Sequence, residues 1–353
     1  MRSTGLVPAD GVSAGGDRRD VSDVVGVLVL GGCAVWSLVT AALRDGRPEG
    51  VLLAVLAVSA GYAAGRIGGA LLPVAVPAAC ALAGPVVTLA APGLDPGRGF
   101  AVPLGHLGAT AALLTLSAGA ACCAAWATPV PGVRTALRLL AAGIAVAAGV
   151  AGSVTGCVCC AAVLVCSLGA GRVRRGPGVA ALTLLTALAA GAAWAVAADV
   201  LPEGLTESAA GGLSSRRVGL WHDAWRLARS HWLLGVGPGR FGQSGTAVAA
   251  ADGTPHSAPL QMAAEQGLAG VALLAAAFCW LLYALWRTDR PAPQALTAGV
   301  ALSLLAVVAS VGNALSFTAV TAGAGVLAGL ATAHPLAEEA ESGARPPRDG
   351  PAE

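Results

Sequence analysis

Residues 255–286 read PHSAPLQMAAEQGLAGVALLAAAFCWLLYALW, and this stretch decides the fold. Its last part, Gly267–Trp286, carries no charge and is long enough to cross the roughly 30 Å hydrocarbon core of a bilayer at 1.5 Å per residue. Ser257 and Pro259 supply a capping residue and a first-turn proline, so a helix is predicted over about 257–286. Its first turns, with Gln261 and Glu265, would project beyond the hydrocarbon core or line a polar cleft. A carboxylate at the mouth of a membrane helix calls for a partner such as arginine. His256 would then sit at the rim of the membrane, just ahead of the helix.

The rest of the chain repeats the apolar theme. Of its 353 residues 56% are hydrophobic and 11% charged, less than half the charge of about 25% usual in soluble domains. Apolar runs fall at about 24–43, 51–65, 68–91, 104–127, 134–151, 154–170, 179–198, 257–286, 295–311 and 314–333. They predict an all-α, polytopic transmembrane helix bundle of about ten spans. The second span is expected to end at Arg66, and the third to kink at Pro73, Pro77 and Pro85. The domain order is a disordered cytoplasmic N-terminus (1–23), spans 1–7 (24–198), a long extracytoplasmic loop (199–255), spans 8–10 (256–333) and a disordered cytoplasmic tail (334–353). The N-terminal segment is too long and too acidic for a cleaved signal peptide.

Arginine placement sets the orientation. All 21 basic residues are arginine; with the N-terminus inside, thirteen lie at cytoplasmic ends and three (Arg44, Arg47 and Arg98) in short outer loops. Five more fall in the long segment 199–255, which therefore faces away from the cytoplasm. The nine cysteines all lie in apolar runs, and Cys157, Cys159 and Cys160 lack the paired spacing of a zinc site, so they read as small buried hydrophobes.

Chemistry is concentrated in residues 214–270, which hold three of the five histidines and three of the eight tryptophans. Arg217, Trp221, Trp225, Ala228 and Trp232 recur at helical spacing, opposite His222, Asp223, Arg226 and Arg229, which predicts an interfacial helix. Ser214 and Ser215 are cap candidates, and free N–H groups beside Arg216 and Arg217 would favour a phosphate. Three glycines and a proline in 235–239 allow a tight turn that could present N–H groups to an anion, with Arg240 alongside.

Taken in order, Arg217-x-x-x-Trp221, Gly235-x-Gly237-x-Gly239-x-Phe241, His256-Ser257-x-x-Leu260-Gln261 and Glu265-x-Gly267-x-x-Gly270 resemble the O-antigen ligase and polysaccharide polymerase family. The resemblance implies a glycosyltransferase in the bacterial cytoplasmic membrane, drawing on an undecaprenyl-pyrophosphate-linked glycan donor. The acceptor would be a hydroxyl on a glycan, lipid, protein or the cell wall. No cofactor, metal or nucleic-acid partner is expected. By position, His256 is similar to the family's histidine proposed as the base for the acceptor hydroxyl, and Arg217 to the loop arginine thought to hold the pyrophosphate. Arg216 and Arg240 are further pyrophosphate candidates, Glu265 and Gln261 supporting ones, and Arg98 a candidate for a donor-binding arginine found earlier in the family's chains. Two departures stand out: serine follows His256 where asparagine is commoner, and ten spans stand where the ligases have twelve. A multi-span transporter or flippase and a non-catalytic envelope-assembly scaffold remain alternatives.

Overall fold

The computed structural model describes residues 10–90, 103–200, 215–246 and 253–334, with side chains described from residues 22, 108, 216 and 253 of those segments. Among them the chain is all-helical. Its helices are α1 (Asp10–Arg44), α2 (Glu49–Leu71), α3 (Ala75–Ala90), α4 (Pro103–Ala127), α5 (Pro131–Val150), α6 (Val154–Gly169) and α7 (Arg175–Ala197), then α8 (Ser215–Ser230), α9 (Phe241–Ser244), α10 (Ala258–Arg287), α11 (Ala292–Val311) and α12 (Thr318–Thr332). Eight are long and apolar enough to cross a membrane, and two more, α3 and α12, are apolar but shorter. The ten predicted runs match these ten helices. Arg98 and the cap candidate Ser214 lie outside the described residues.

One boundary moves. α2 does not stop at Arg66 but continues to Leu71, because Arg66 pairs with Asp23 of α1 and so meets a carboxylate at the end of the span. The break comes at 72–74 instead, ahead of α3, and Pro85 stays inside that helix.

The most enclosed helices are α4 and α11, whose small residues let neighbours close around them. Ala112, Ala118, Ala121 and Cys122 of α4 meet Ala298, Ala301 and Leu305 of α11 in one buried cluster with residues of α5, α6 and α12. α2 and α12 approach closely along Gly61, Gly65, Gly325 and Gly329, where an added methyl would strike the facing backbone. The cysteines are all unpaired, and no cluster of three or more metal-ligand side chains exists among the described residues.

Two polar faces cap the bundle. On one, Arg175 donates to the carbonyls of Thr288 and Arg290, while Arg290 donates to Ala333 O at 2.6 Å and Gly69 O at 2.9 Å. Asp23, Arg66 and His334 border the same hollow. On the other face the α1–α2 loop meets the segment 231–246, with Arg47 N donating to Pro238 O at 2.7 Å.

Candidate active site

The site grows from a break in α10. Gly267 has φ +68 and ψ −163, far from helical values, so the helix is interrupted about two and a half turns from its start. An interruption frees backbone groups, and at membrane depth each needs a partner. Four of these are met here. Ala264 O accepts from Val236 N and Glu265 O from Gly237 N, both at 2.9 Å, while Gln266 O accepts from Trp36 Nε1 at 3.1 Å. Leu268 N donates in turn to Trp232 O at 2.8 Å.

The first part of the glycine turn therefore spends its N–H groups on protein carbonyls. The N–H groups of Gly235, Val236 and Gly237 point at His231 O, Ala264 O and Glu265 O, not outward toward an anion. Gly235 has φ +65, and a Cβ there would collide with the backbone of Glu265. Only glycine lets the turn lie this close to the broken helix.

Glu265 is buried at 2% exposure, and no ion pair joins it to an arginine among the described residues. Gln261 Nε2 donates to its Oε2 at 3.4 Å, and the backbone N–H groups of Gly239 and Phe241 in the turn lend further support. Its Oε1 completes no hydrogen bond. The expected partner for this carboxylate is thus the turn and Gln261. Arg240 points elsewhere, its Nη1 donating to Arg44 O at 2.5 Å.

α8 packs as a structural element more than as a surface float. Leu220, Trp221, Ala224 and Leu227 are buried with Phe241, Leu260 and Ala264, and Trp225 meets Trp194 of α7 edge-on at 5.2 Å. Trp221 is 1% exposed, whereas Trp232, placed on the same stripe by its spacing, lies past the helix end and is 58% exposed. Asp223, assigned to the polar face by periodicity, is buried. It pairs with Arg226 at 2.9 Å and accepts from Thr246 N at 3.2 Å and from the Thr246 hydroxyl. That bond staples the far end of the turn segment to α8.

One contact links the segments that carry the two principal candidates. Trp221 Nε1 donates to Pro255 O at 3.0 Å, so the residue before His256 is tied to α8 one helical turn from Arg217. His256 is half-buried and held at φ +51, a left-handed conformation that is uncommon for a side-chain-bearing residue. Arg217 is half-buried too, and loss of water pulls its pKa below the ordinary arginine value. A guanidinium short of water gains from an arriving oxyanion. Arg216, its neighbour, is exposed. Ser257 occupies the predicted N-cap position of α10 with Pro259 in the first turn, but its hydroxyl is buried and caps nothing.

Trp221→Phe checks this link, since it keeps an aromatic ring while deleting the indole N–H. About 1 kcal/mol of stability should go with a net hydrogen bond. Glycan transfer should fall further than that loss of stability explains, because the His256 segment loses its anchor. An unfolding midpoint a few degrees lower with a normal transfer rate would show that the anchor does not position His256.

Sequence patterning missed the break at Gly267, the burial of Asp223 and the participation of the α1–α2 loop. Only the first left a trace, in the Glu265-x-Gly267 spacing. Residues 106–275, which include every candidate from Arg216 to Glu265, match a family model described as O-antigen ligase. No curated protein matches the chain significantly.

Proposed function

The chain belongs to the O-antigen ligase family through residues 106–275, and from that premise we propose that it moves a glycan from an undecaprenyl-pyrophosphate carrier to an acceptor hydroxyl. The transfer takes place at the outer face of the bacterial cytoplasmic membrane, in the building of cell-surface polysaccharide. The multi-pass helical bundle and the family fit a membrane glycan ligase or polymerase. The observation that supports the finer reading is the Trp221–Pro255 hydrogen bond, which ties the residue before His256 to α8 one turn from Arg217.

The chemistry follows from the groups. The imidazole of His256 takes the proton of the acceptor hydroxyl as a general base. The hydroxyl oxygen bonds to the anomeric carbon as the bond from that carbon to the carrier oxygen breaks. The bonding electrons leave with the pyrophosphate. Arg217, aided by Arg216, meets the charge that develops there, and its planar fork matches two phosphate oxygens at once. As written, the step balances without a metal ion or a nucleotide sugar. Glu265 and Gln261 hold the glycine turn against the broken helix and so support the site from beneath.

Arg217 separates charge from geometry in a test. Arg217→Ala should slow transfer by about 100-fold or more, as when one preorganised donor is removed from a developing charge. Arg217→Lys keeps the charge, loses the fork and should fall between the two, about tenfold down. The readout is transfer in vesicles containing lipid-linked glycan. An Arg217→Ala rate equal to the wild type would remove Arg217 from the site.

A further inference from the structure

At the other end of α8 from Arg217 lies a cleft of about 410 Å³ whose lining includes Arg44, Asp45, Leu227, His231, Arg240 and Ser244. Leu227 is ten residues from Arg217, about 15 Å along the helix. The cleft therefore does not share the reacting pyrophosphate expected beside Arg217. Its size falls within the ordinary range for small-ligand sites.

The cleft is constructed, not incidental. Gly46 sits so close to Pro238 that an added Cβ would come within 2.6 Å of the proline ring. With the bond from Arg47 N to Pro238 O at 2.7 Å, this fixes the α1–α2 loop on the glycine turn. Arg240 then reaches Arg44 O at 2.5 Å, which sets the two arginines side by side. Among the described residues neither guanidinium has a carboxylate partner, and Arg240 Nε is buried without any hydrogen-bond partner. His231 has Nδ1 against Ser230 Oγ at 2.9 Å, which leaves its Nε2 for the cleft.

We propose that this cleft is a substrate subsite for an acidic saccharide, holding the sugar carboxylate between Arg44 and Arg240. The proposal rests on the transferase reading above. Two guanidinium groups with one carboxylate, Asp45, leave the cleft net positive, which selects an anion. Leu227 supplies an apolar wall for a sugar ring, while Asp45, His231 and Ser244 supply acceptors and donors for its hydroxyls. A site for bare phosphate would have no use for the wall or for Asp45. The acidic sugar would belong to a unit of the glycan a few rings from the reacting carbon, so the cleft would set which polymer is accepted.

The test is a binding measurement that needs no transfer activity. Purified protein in nanodiscs is titrated with glucuronate, with glucose and with inorganic pyrophosphate, at low and high salt. Glucuronate should bind more tightly than glucose, and more weakly at high salt. Arg44→Gln should weaken glucuronate by about tenfold, the worth of a charged hydrogen bond. Gly46→Val, which pushes the loop off the turn without touching either arginine, should do the same. Arg217→Gln should leave glucuronate within about twofold, as expected for sites too far apart to couple, and should weaken pyrophosphate instead. Glucuronate binding no better than glucose overturns the proposal. So does an equal loss in Arg217→Gln and Arg44→Gln, which would merge the cleft with the carrier site. If glucuronate behaves as expected while His256→Ala still transfers glycan, the catalytic assignment fails and the subsite stands.

Discussion

His256→Ala is expected to abolish glycan transfer while the protein stays folded in the membrane. Removing a general base slows a reaction by about 10²- to 10⁴-fold. The side chain is half-buried, so the helices should keep their packing. Backbone strain needs a control, because His256 has φ +51. Asparagine tolerates that conformation better than alanine does, so His256→Asn should be at least as stable and equally inactive. Transfer assays on the reconstituted variants, read beside their unfolding midpoints, separate chemistry from folding. A transfer rate near wild type in both variants would remove His256 from the mechanism.

Gly267→Val carries the largest structural effect. A Cβ at Gly267 would lie 2.5 Å from Leu233 O, in a backbone conformation with φ +68 that side-chain-bearing residues resist. To relieve both, α10 must straighten or the segment 232–237 must withdraw. Withdrawal would orphan the carbonyls of Ala264 and Glu265, which now accept from Val236 and Gly237. Each buried unsatisfied group costs about 1–3 kcal/mol, and left-handed strain adds about 1–2 kcal/mol, for a loss of about 3 kcal/mol or more. Gly235→Ala should fail in the same way from the other side of the contact, since its Cβ would strike Glu265. Thermal unfolding in detergent and protease cleavage between residues 231 and 246 report on the two events. A wild-type midpoint with an uncut segment would mean that the turn is not what holds the broken helix.

The layout of helices was legible because hydropathy is a property of consecutive residues. The apolar stretch Gly267–Trp286 and its nine companions each announce a span regardless of neighbours. What the chain could not announce was pairing across distance. Arg66 reads as a stop until Asp23, 43 residues earlier, is seen beside it. Asp223 reads as a solvated residue until Thr246 closes on it. The glycines at 235, 237 and 239 suggest an anion-binding nest because local spacing is silent about the carbonyls that α10 releases at Gly267. Periodicity found the Trp221 stripe but not its purpose, which depends on Pro255, 34 residues away. Arg44 was legible only as an outer-loop charge, since its place beside Arg240 depends on the close approach of Gly46 to Pro238. Local chemistry was in the sequence, while its assembly into a site came from four segments converging on one broken helix.

The most direct test is a transfer cycle in vesicles loaded with lipid-linked glycan, comparing wild type, Arg217→Ala, His256→Ala and the double variant. Residues that act as a unit are not additive in rate. The double variant should therefore be no slower than the worse single variant, with both singles down by about 100-fold or more. Rates that multiply, or a His256→Ala variant that transfers glycan normally, would contradict the claim that α8 and the mouth of α10 form one active site.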